Sequence, residues 1–119
     1  MIPKIPEEDG NEYLSAVLRL YLALPETPSR AGPHDRRSAE ELHARGIDLA
    51  TVESALLLAS LRRLGRPPEM PPLSPIRSLA YFSPVIQELL HNPIPAGYLE
   101  YLRRKARLLD SRRQVKKCG

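Results

Sequence analysis

The residues with the clearest chemistry lie at one end of the chain. Arg103, Arg104, Lys105, Arg107, Arg112, Arg113, Lys116 and Lys117 stand against Asp110 alone, so residues 103–119 carry a net charge of +7. The whole chain has a formal charge of +4, which leaves −3 for the rest. A mildly acidic body with a basic end calls for an anionic partner at that end, with nucleic acid first and a membrane surface or an acidic protein behind it. On a helix Arg103 and Arg107 share a face at i, i+4 with Arg104 beside them, while Tyr98, Leu102 and Leu109 face inward. Tyr101 falls on the outer side near the basic face, where its ring can stack on a base or sugar. Phosphate contacts from these cations would be independent of sequence and weakened by salt. A solvated helix end with favourable dipole placement is the plainer alternative.

Catalytic patterns are missing. There is no Walker-type phosphate loop, no GxGxxG and no GxSxG, and Gly32, Gly46, Gly65 and Gly97 each stand alone at helix ends. His34, His43 and His91 include no i, i+4 pair, and Cys118 is the only cysteine, so neither a metal site nor a cofactor is expected. Glu53 is the one carboxylate in a strongly apolar setting. We expect it to form a buried ion pair with Arg77 or another arginine rather than to act as a general base. Pro72-Leu73-Ser74-Pro75-Ile76-Arg77 fits the PxxPxR outline of a polyproline ligand, and reads first as a structural spacer. Nothing indicates a small-molecule substrate, and the chain is read as non-enzymatic.

These side chains need helices to position them. Gly46 to Gly65 reads as one helix, 48–64, with Asp48 as N-cap, Ile47 and Val52 as a hydrophobic staple, Arg62 and Arg63 at the negative end, and Gly65 as a left-handed exit. Ala55 to Ala59 is apolar all round, which places this helix centrally. A first helix should start at Asn11 and stop at Pro25, with Tyr13, Val17, Leu20, Tyr21 and Leu24 on one face. A peripheral second helix should cover 33–45, where Ser38-Ala39-Glu40-Glu41 is a capping-box pattern that could restart it. A stiff Pro-rich connector over 65–75 leads to a helical stretch over 76–90. There Ser78 is a plausible cap, and Pro84 must either kink the helix or begin a second piece. A last helix should run from Ala96 to Leu109.

The expected architecture is all-α: a compact single-domain bundle of about five helices around the central helix 48–64. Residues 1–10 form a flexible acidic arm, 11–109 the helical domain and 110–119 a basic tail. At 119 residues the chain has room for one core, and its 13 prolines fall mostly between apolar segments. No apolar run is long enough to span a bilayer, the opening residues lack the apolar stretch of a secretory signal, and a cytoplasmic location is the default.

From Ile76 to Ile86 the chain resembles the C-terminal helical domain of DnaD-type primosome and replication-initiation proteins. In that family a helix ending in an apolar residue–Ala motif is followed by a connector and a helix with a Tyr–x–x–x–Ile/Leu core. Val52-Glu53-Ser54-Ala55 matches the first part and Tyr81 with Val85-Ile86 the second. Pro84, the long connector and the lack of the family's Trp depart from the pattern. The resemblance implies an adaptor for replication, or one carried by a mobile element, that touches DNA and a helicase or initiator. The basic helix after residue 102 would be its DNA-contacting part. The rival reading is a helical protein-interaction module whose basic tail meets an acidic partner.

Overall fold

Proline fits the first position of a helix, where its missing N–H is not needed, and the first helix begins at such a residue. In the computed structural model, which describes residues 6–71 and 73–118 and the side chains of 10–71 and 73–108, α1 runs Pro6–Leu22. The expected start at Asn11 is thus corrected, and of the expected arm only residues 1–5 lie outside the described residues. α2 (Pro33–Ala44), α3 (Leu49–Leu64), a 3-10 turn (Leu79–Phe82), α4 (Ser83–His91) and α5 (Tyr98–Cys118) follow, with no strand among the described residues. The protein is an all-α, single-domain bundle.

The core is assembled from Val17 and Tyr21 of α1, Ala39 of α2, Val52, Ala55 and Leu56 of α3, Leu79 and Phe82 of the 3-10 turn, and Ile86 of α4. α3 packs against α1, α4 and α5, as its all-round apolar sequence requires. α2 packs on α1 and the 3-10 turn rather than chiefly on α3, because its apolar stripe is narrow. Tyr21 meets Phe82 edge to face, with ring centroids 6.0 Å apart and planes at 82°.

The start of α2 is set by Asp35, not by the Ser38–Glu41 pattern. Asp35 Oδ2 accepts the N–H of Gly32 at 2.9 Å, while its Oδ1 accepts the N–H of Leu79 at 2.8 Å. One buried carboxylate therefore satisfies the first turn of α2 and the first residue of the 3-10 turn together. At the other end of α2, Gly46 N–H donates to His43 O and Ile47 N–H to Leu42 O. This is the Schellman arrangement, and Gly46 (φ +74°) takes the left-handed position it needs.

Asp48 sits at the N-cap of α3, but its carboxylate accepts the Thr51 hydroxyl at 2.5 Å instead of a helix N–H. Gly65 ends α3 with φ −88°, so the expected left-handed exit does not occur. The left-handed residue on this side of the bundle is Glu26 (φ +68°). It is held on both sides: its carbonyl accepts the N–H of Ile76 at 2.9 Å, and its carboxylate binds Arg63. Arg63, nearly buried, also donates to the Ser74 carbonyl at 2.8 Å and to Tyr81 Oη at 3.1 Å. Arg66 donates to the Pro71 carbonyl at 2.8 Å. Two arginines at the end of α3 thus fasten the connector, and Ile76 is buried in the core as its last anchor.

Pro84 splits the 76–90 stretch. Residues before it form the 3-10 turn with Ser78 at its cap position, and Ser83 and Pro84 open α4 as its first two residues. Phe82 is the N-cap of that helix. A proline here loses no hydrogen bond, because the first turn has none to give.

Candidate nucleic-acid interface

α5 is introduced by Asn92 to Gly97, where prolines 93 and 95 end α4, and Gly97 turns the chain with φ +88°. Tyr98 N–H donates to Pro95 O at 3.1 Å and starts the helix two residues later than expected. Its far end differs more. The backbone stays helical to Cys118, whereas the sequence reading ends the helix at Leu109 and begins a basic tail at 110. Helix-forming arginines, lysines and a glutamine fill much of that stretch, and it holds no proline or glycine up to Cys118, so nothing stops it.

Leu102, 1% exposed, is the apolar anchor of α5 against the bundle. Beside it lies the ion pair that holds the helix in register. Arg103 Nε and Nη2 donate to the two oxygens of Glu53 on α3, each at 2.8 Å, and Nη1 donates to Glu100 at 3.0 Å. This corrects two expectations. Glu53 pairs with Arg103 and not with Arg77, which is exposed. Arg103 in turn is committed to two carboxylates of its own chain, so it leaves the set of candidate phosphate ligands. The hydrogen bonds Arg103 donates to Glu53, then the charge of that carboxylate, raise the Arg103 pKa further above its ordinary value. The fork of a guanidinium on a carboxylate is a planar, two-bond match, which a lysine at 103 could not make.

The outer face of α5 is different. Arg104, Lys105 and Arg107 are exposed, and among the described residues no carboxylate pairs with any of them. The side chains of Arg112, Arg113, Lys116 and Lys117 lie outside the described residues, although their backbone continues the same helix. Tyr101 is 43% exposed, as its position on the outer side requires. Tyr98, expected inward, is only half-buried and stacks on Tyr101, with centroids 5.3 Å apart and planes at 27°. Lys105 Nζ stands 5.6 Å above the Tyr101 ring and donates to its Oη at 3.3 Å. The stacked pair could have been found from the spacing Tyr98-x-x-Tyr101-x-x-x-Lys105, which puts all three side chains along one side of a helix.

The other candidates resolve into structure. Ser54 donates back to Ala50 O at 2.8 Å. His34, His43 and His91 are exposed, and among the described residues no group of three or more His, Cys, Asp or Glu is placed to hold a metal ion. Of the PxxPxR stretch, Pro72 lies outside the described residues and Ile76 is buried. No helix among the described residues is long and apolar enough to cross a membrane. The chain matches no protein-family model, and comparisons with curated proteins and with solved structures find no match.

Proposed function

We propose that the protein is a non-enzymatic DNA-associated adaptor that grips phosphates through the outer face of α5. The observation that carries this reading is the separation of duties along one helix. The inner face spends its arginine on a carboxylate of the body, while Arg104, Lys105 and Arg107 stand outward without a carboxylate among the described residues. Exposed cations on a helix gain from a polyanion, because each phosphate contact releases condensed counterions. The continuation of the helix to Cys118 supports the same reading, since Arg112, Arg113, Lys116 and Lys117 extend the charge along it. A role beside a replicative helicase or initiator, in replication or on a mobile element, belongs to this proposal through the DnaD-type resemblance. The body would then supply the protein contact and α5 the DNA contact.

The test is salt-dependent binding. The full chain and a triple variant, Arg104→Gln, Lys105→Gln and Arg107→Gln, are titrated against fluorescent DNA at several salt concentrations. The variant should bind more weakly, with the slope of log K against log salt reduced by about 2–3, near 0.7–0.9 per lost contact. No salt-sensitive binding by the full chain would overturn the reading and favour an acidic protein partner.

A further inference from the structure

We infer that the Tyr98–Tyr101 pair on α5 is a stacking site for an unpaired base, so that the DNA taken by this face is single-stranded. The inference rests on the DNA reading of α5 and adds the class of substrate. It starts from a cost that the fold has left in place. Tyr101 is a large ring kept 43% exposed, whereas aromatics are scarce in this chain and Phe82 and Tyr21 are fully buried. An exposed aromatic amid cations is a recurring feature of surfaces that hold single strands.

The geometry suits a base. Tyr98 backs Tyr101 at 5.3 Å with the planes 27° apart, so the outer ring is held in a fixed orientation by a neighbour one turn earlier. Among the described residues the Lys105 ammonium also meets Tyr101, 5.6 Å from the ring centroid and 3.3 Å from its Oη. An exposed cation–π contact is weaker than a base stacked on a ring, so a base can take its place. The displaced ammonium stays within reach and can pair with a phosphate flanking that base. Arg104, the residue before Lys105 in the helix, supplies a second exposed cation for the backbone.

A duplex cannot use this arrangement. Its bases present edges in the grooves and keep their faces stacked on one another, so Tyr101 would have to force a step apart. A single strand offers its faces directly, and because every base has one, the site would show little sequence preference.

The experiment compares a labelled 20-nucleotide oligothymidine with a duplex of the same length, by anisotropy, using the full chain and its Tyr101→Ala, Tyr101→Phe and Arg104→Gln variants. Since the chain has no Trp, quenching of tyrosine emission on binding reports stacking directly. Tyr101→Ala should weaken oligothymidine binding roughly tenfold, within the range for loss of one stacked base. Tyr101→Phe should bind as the parent does, and duplex binding should change less than about twofold in both. Arg104→Gln should weaken both ligands alike. Equal binding of oligothymidine by the parent and Tyr101→Ala would overturn the stacking site while leaving α5 as a DNA contact. Absence of salt-sensitive binding to either ligand would overturn both.

Discussion

Tyr21 shows how much one hydroxyl can reveal about a core. The ring is fully buried, its Oη has no hydrogen-bond partner among the described residues, and burial followed by the charge of Asp35 pushes its pKa up to about 12. The folded state therefore holds this proton more tightly than the unfolded chain, where tyrosine ionises near 10. Stability from this group is complete below pH 10 and is lost as pH rises from about 10 to about 12, by roughly 2–3 kcal/mol. Tyr21→Phe should remove that part of the alkaline loss, and at neutral pH should leave stability equal or up to about 1 kcal/mol higher, since no bond is broken. Urea titrations of both proteins at pH 7 and pH 11 check it. Arg103 makes the opposite case, in which every donor direction facing the body is used. Arg103→Met should cost about 1–3 kcal/mol by leaving Glu53, half-buried, without its partner. The same change should barely alter the salt slope of DNA binding, the reverse of what is expected for Arg104→Gln. Equal effects of the two variants on the slope would show that Arg103 is not reserved for the fold.

At the scale of elements, the joints decide more than the helices. Asp35 ties α2 to the 3-10 turn by accepting the N–H of Gly32 and that of Leu79, 44 residues further along the chain than Asp35 itself. Asp35→Ala would strand both, one of them buried, and should cost about 2–4 kcal/mol in thermal or chemical unfolding. Gly46→Ala should cost about 1 kcal/mol, because the Schellman exit of α2 needs φ +74° even though a methyl group would meet nothing within 4 Å. The caps of α2 and α3 also show why spacing rules misplace some ends. Ser38-Ala39-Glu40-Glu41 satisfies a capping box on paper, yet Asp35 starts the helix earlier because the 3-10 turn supplies it with a second donor. Asp48 was legible as an N-cap position from type alone. That its oxygen turns to Thr51 is a local choice between two donors, which sequence spacing does not rank.

On the scale of the whole molecule, α3 bears the core and α5 carries the charge. Leu56, 1% exposed at the middle of α3, should cost roughly 2–5 kcal/mol when cut to alanine, measured as a shift in the urea midpoint. That loss should leave the salt slope of DNA binding unchanged wherever the protein remains folded, because α5 reaches the core through Leu102 and Arg103 and not through its outer cations. Fold and candidate interface thus sit on opposite faces of one helix, and variants on each should move different observables.

Fold class, the central helix and the basic end were readable from the chain alone. Apolar periodicity, capping residues and prolines act over a few neighbours, and charge needs only a count. Partners distant in sequence were another matter. Glu53 announced that it needed an arginine, but Arg77 and Arg103 were equal in type. Only the packing of α5 on α3 brought one of them to 2.8 Å. The same contact removed Arg103 from the basic face and left Tyr101 exposed beside Lys105. Local order follows from short-range chemistry, whereas which charge is spent and which stays free depends on where whole helices come to rest.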